Sequence, residues 1–193
     1  MRLRFTTWYS AAIVVLFASG RMLAAEGQPG LSFTNLRTSD SEIHSAISAC
    51  YAHSLTCHQL IDEIESSSTV VYLTPGKCLP GRGGSCLRFV TASAFARYLQ
   101  IILDRDLSGG YLLKTAAHEL QHAVEVVRAP QVVDHDSFRR LYERIGIFLY
   151  GSGMREDWET EEAQRIASVV SKEVKRSLRA APLAFNEARV GKE

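Results

Sequence analysis

Residues 110–127 read GYLLKTAAHELQHAVEVV, and this stretch decides how the rest of the chain is understood. Over 112–127 the pattern is that of one helix, which stops near Ala129 and Pro130 because proline cannot continue it. Inside it lies HELQH, residues 118–122. Two histidines four apart differ by about 40° around a helix and one turn along it, so His118 and His122 can converge on one ion. Neutral imidazole nitrogen suits Zn²⁺. Glu119 stands about 100° round from His118, beside the ion rather than on it, where it can take a proton from a zinc-activated water.

Upstream of this helix the sequence alternates between helical and extended patterns. Ser39 with Glu42 forms a capping-box signature before Ile43, Ala46, Ile47 and Cys50. A second such signature, Thr56 with Gln59, precedes Leu60, Ile61 and Ile64, so the helical pattern breaks near His53 and restarts at Cys57. Residues 31–40 read as an irregular lead-in. Strands are expected over 69–74 (TVVYLT), 87–91 and 98–104 (YLQIILD), where β-branched and aromatic residues concentrate. Downstream, residues 138–149 read as a helix, with Phe138, Leu141, Tyr142, Ile145 and Leu149 on one stripe. GSGMRED then breaks the chain before a last long helix from about Trp158 to Leu178. Early strands and late helices imply an α+β domain, with a short sheet of three strands packed by helices.

The four cysteines are Cys50, Cys57, Cys78 and Cys86. In one unbroken helix Cys50 and Cys57 would stand about 10 Å apart along the axis, whereas a disulfide holds its Cα atoms within roughly 7 Å. The helical break removes that obstacle. Cys78 and Cys86 bracket the turn-rich loop KCLPGRGGSC. The expected pairs are therefore Cys50 with Cys57 and Cys78 with Cys86. Neither pair has the close spacing of a zinc ribbon.

A catalytic zinc takes three protein ligands and keeps one position open. His44, His53 and His58 precede the motif, and His135 follows it in VVDHDS. The acidic cluster WETEEA offers carboxylates, and on a helix whose apolar face is Ala163, Ile166, Ala167, Val170 and Val174, stepping back four residues from Ala163 lands on Glu159. Glu159 is thus the expected third ligand, with Glu162 second and Glu161 on a solvated stripe. Glu125, one turn beyond His122, is a candidate to orient a ligand, although a structural role is the commoner fate of such a residue. Tyr142, Tyr150, His135 and Arg155 are the types available for an oxyanion donor, and the stripe that Tyr142 shares makes packing its expected job.

HELQH on one helix with a glutamate opening a later one resembles the gluzincin branch of the zincin metallopeptidases. The resemblance covers chiefly residues 112–127 and 158–174. It implies a zincin-like domain with His118, His122 and Glu159 as zinc ligands, Glu119 as general base, and a peptide or protein as substrate. The metzincin extension would need a histidine at position 128, where this chain has Arg128. The interval from the motif to Glu159 is longer than in thermolysin, and these residues show no clear counterpart of its asparagine-containing glutamate motif or of its large second domain. An inactive relative that keeps zinc and cleaves nothing is the competing expectation.

At 193 residues and 46% hydrophobic content the chain suits one core. A net charge of +1 with scattered Lys and Arg excludes a phosphate-tracking stripe, so nucleic acid is not an expected partner. Arg2 and Arg4, the apolar run AAIVVLFA and small residues after it have the layout of a signal peptide, ending at Gly20 or Ala25. The run is shorter than the roughly 20 residues that span a bilayer. The expectation is a signal peptide over 1–25, one domain over 26–193 with no membrane span after cleavage, and a secreted or periplasmic location.

Overall fold

The β-branched runs form the centre of a small mixed sheet in the computed structural model, which describes residues 32–78, 85–152 and 155–190. Its strands are β1 (Leu36–Arg37), β2 (Thr69–Gly76), β3 (Cys86–Ala92) and β4 (Arg97–Asp104), in the order β1-β2-β4-β3. β1, β2 and β4 are parallel, and β3 closes one edge antiparallel to β4. Val71 and Leu73 of β2 and Leu99, Ile101 and Leu103 of β4 are almost fully buried. Such side chains contribute about 1.5–3 kcal/mol each on leaving water.

The first two helices, α1 (Ser41–His53) and α2 (Leu55–Glu65), meet at Ser54. Its N–H closes α1 on the Cys50 carbonyl, and its Oγ accepts the Cys57 N–H at 3.0 Å to open α2. The break brings the Cys50 and Cys57 Cα atoms to 5.7 Å, and the two residues are disulfide-bonded, as are Cys78 and Cys86. Both pairings agree with the sequence. The caps differ by one or two residues: Asp40, not Ser39, accepts the N–H groups of Glu42 and Ile43, and Ser54 rather than Thr56 caps α2. A cap must sit two or three residues before the N–H it satisfies, and at both places another capping residue stands in better register.

β1 lies within the expected irregular lead-in. Two residues carry no periodicity to read, and β1 is fixed instead by long-range bonds. The Glu65 carboxylate accepts the N–H groups of Thr34, Asn35 and Leu36 at 2.8–2.9 Å.

The motif helix α3 (Gly109–Val127) packs against α1, α2 and the last helix, α5 (Glu161–Val190). Leu112, Leu113, Ala116, Ala117, Leu120, Ala123 and Val124 fill the core. Between α3 and α5 the chain departs from the sequence expectation. α4 (His135–Ile145) ends at Ile145 rather than Leu149, and a two-stranded sheet follows, β5 (Ile147–Ser152) antiparallel to β6 (Arg155–Glu159). The last helix therefore starts at Glu161, not at Trp158. Gly146 makes the switch: a Cβ there would meet the Tyr142 carbonyl oxygen at 2.9 Å and that of Glu159 at 3.2 Å. Only glycine lets these backbones approach so closely.

The result is α+β, with a four-stranded mixed sheet and a separate hairpin where three strands are expected. The described residues all belong to one compact unit. Among the described residues no helix is long and apolar enough to cross a membrane. The expected signal peptide, residues 1–25, lies outside the described residues.

Candidate metal centre

Helix α3 sets the first two donors. One turn apart on a helix packed into the core, the rings of His118 and His122 lie 4.9 Å apart and nearly perpendicular, at 83°. The third donor arrives from a different element. Glu159 ends β6 opposite Ile147 of β5, and its Oε1 stands 3.4 Å from His118 Nε2 and 3.6 Å from His122 Nε2. Glu159 thus reaches the site by strand register, which corrects the helix-facing reason for choosing it.

One donor atom from each of the three residues lies within 4.8 Å of the other two. Bonds of about 2.0–2.1 Å in a tetrahedron place neighbouring donors roughly 3.3–3.4 Å apart. The two histidine–carboxylate distances are already close to that edge length. The trio can hold a metal ion, and three protein donors leave a fourth position for another ligand.

The surroundings prepare the histidines for that task. His122 is buried, and its Nδ1 lies 2.8 Å from Glu125 Oε2. A carboxylate accepts only, so in the neutral ring Nδ1 carries the proton and Nε2 turns its lone pair toward the trio's centre. Burial opposes charge on His122, but the Glu125 hydrogen bond and the carboxylates of Glu119, Glu125 and Glu159 outweigh it and hold its pKa above the usual value. His118 has the opposite balance. Burial, then the charge of His122, push its pKa down against the pull of Glu159, Glu125 and a hydrogen bond with the Ala163 backbone.

Glu125 also accepts a hydrogen bond from the Thr160 hydroxyl, 2.7 Å away at Oε1. Thr160 is buried between the hairpin and α5, where its Oγ1 accepts the Ala163 N–H at 3.1 Å and its own N–H donates to Glu159 Oε1 at 2.8 Å. Sequence reasoning missed this residue. The signal was present, since a threonine followed by two glutamates and a helical apolar stripe is an N-cap pattern.

Glu119 is 4% exposed, outside the converging trio, and near enough to His122 and Tyr142 for its charge to raise both pKa values. Tyr142 packs in the core as expected. Its hydroxyl donates to the His122 carbonyl at 3.0 Å, and burial, then the charges of Glu125 and Glu119, hold its pKa well above the usual value. Glu162, the second choice as ligand, pairs with Arg165 at the surface. His135 is exposed on α4 with its ring against Phe89. His53 meets Ser177 and His58 meets Asp62, so neither joins the site. Tyr150 and Arg155 have side chains outside those described.

No protein-family model, curated protein or solved structure matches the chain. The functional reading therefore rests on the donor set and its supports.

Proposed function

We propose that this chain is an exported zinc-dependent metallopeptidase of gluzincin type, with His118, His122 and Glu159 as ligands and Glu119 as general base. The supporting observation is the meeting of the two Nε2 atoms with Glu159 Oε1 at 3.4 and 3.6 Å. Two imidazoles and one carboxylate at near-tetrahedral spacing suit zinc. When bound there, zinc would supply a Lewis acid that polarises a carbonyl oxygen and lowers the pKa of water.

The protein's own part is positioning and proton transfer. His118, His122 and Glu159 hold the ion with one side open. Glu119 accepts the proton of the water that attacks the peptide carbonyl carbon, then returns it to the leaving amine nitrogen as the C–N bond breaks. Its low exposure keeps that carboxylate from bulk water. Two disulfides favour an oxidising compartment and so support the secreted or periplasmic location.

The test compares wild type with Glu119→Gln on a broad peptide library, with zinc content measured in both. The expected result is equal zinc and a loss of cleavage of about 10²–10⁴-fold in the variant. Zinc without cleavage by wild type would favour the inactive zinc-binding relative instead.

A further inference from the structure

We propose that Thr160 is a positioning residue that locks the hairpin-borne ligand to the helix-borne ones. The proposal rests on the metal-site reading above. Thr160 hydrogen-bonds both Glu159 and Glu125. Its N–H holds the same Oε1 that faces both histidines, and its hydroxyl holds the carboxylate that orients His122. The same hydroxyl caps α5 through the Ala163 N–H.

This arrangement solves a problem the topology creates. Two donors belong to a helix fixed in the core, whereas the third ends a hairpin whose Ile147, Phe148 and Leu149 are 56%, 48% and 52% exposed. A two-stranded hairpin has little independent stability in water. Trp158 packs against the core beside it, but the Glu159 carboxylate still needs a tie to the helix that carries the partners to hold one position. Thr160 makes that tie through groups that are all buried or half-buried, where a hydrogen bond to a carboxylate is strongest. Partners of this kind typically change metal affinity 10–100-fold when removed.

The metal-free protein, titrated with Zn²⁺ in competition with a chelating indicator, tests this with three variants. Thr160→Val keeps the shape and the backbone N–H but loses the hydroxyl, and is expected to bind zinc about 10–100-fold more weakly at unchanged stoichiometry. Thr160→Ser keeps the hydroxyl and is expected to restore affinity to within about 3-fold of wild type. Glu125→Gln, which leaves the α5 cap intact, is expected to weaken zinc by about 10-fold and serves should Thr160→Val not fold. A role confined to capping α5 would lower the melting temperature of the metal-free Thr160→Val while leaving zinc affinity at the wild-type value. That outcome, or wild-type affinity in Glu125→Gln, overturns the proposal. A wild type that binds no zinc overturns the metal-site reading itself, and is recognised by the control titration alone.

Discussion

Helix α3 and the β5–β6 hairpin each deliver part of one site, yet they are built in opposite ways. α3 is buried along most of its length and packs on three other helices. The hairpin pairs only with itself among the described strands and exposes three consecutive large apolar side chains. Two donors therefore inherit their placement from the core directly, and the third depends on a glycine contact, the packing of Trp158, a threonine and the register of two short strands. Stability and metal affinity should separate along this line.

The largest effect is expected from a donor on the helix. His122→Ala removes a proposed ligand and leaves Glu125 buried without its histidine partner, so zinc affinity should fall by more than the roughly 10²-fold typical of an outer-shell loss. The same change should cost about 1–3 kcal/mol of stability in the metal-free protein, measured by denaturant unfolding. Glu159→Ala should weaken zinc as severely, yet cost only about 1 kcal/mol or less in the metal-free protein. Equal destabilisation by the two variants would show that Glu159 is as much part of the folded core as His122.

A smaller effect tests the hairpin's seat. In Gly146→Ala the new Cβ meets two backbone oxygens at 2.9 and 3.2 Å, neither of which is a movable side chain tip. The strand that carries Glu159 must shift, with an expected loss of about 10-fold in zinc affinity and about 1–3 kcal/mol in stability. Unchanged affinity would show that the ligand does not depend on this contact.

The smallest effect concerns the anchoring of α5 at its far side. Glu173 accepts hydrogen bonds from the Ser54 hydroxyl and from the Thr56 N–H and hydroxyl. Burial alone would raise its pKa, but these bonds outweigh burial and hold it below the usual carboxylate value. A carboxylate depressed in the folded state stabilises it above the unfolded pKa of about 4.3, and this contribution is lost as pH falls through the folded value. Glu173→Gln should therefore lower stability by under about 1 kcal/mol at pH 7, with the difference from wild type shrinking below about pH 4. Thermal melts across that range check it, and zinc affinity at pH 7 should not change.

What could be read in advance follows the same division. HELQH was legible because helical spacing alone brings His118 and His122 together. The α1–α2 break was legible too, since capping residues interrupt the apolar period and the disulfide requires it. The hairpin was not. Ile145 and Leu149 keep a four-residue spacing across Gly146, so the apolar stripe has helical period even where a close backbone approach ends the helix. A helical projection reaches Glu159 only by extending the period of α5 backwards past its true start at Glu161. The residue is the one that converges, but its direction comes from pairing with Ile147 and from Thr160, neither of which a helical projection contains.

The proposed function requires one zinc ion held by His118, His122 and Glu159. Its most direct test is the zinc content per chain of purified, dialysed wild type beside His118→Ala and Glu159→Ala. One zinc per chain in wild type, lost from both folded variants, is the expected result. A wild type without stoichiometric zinc, or variants that both retain it, would contradict the account.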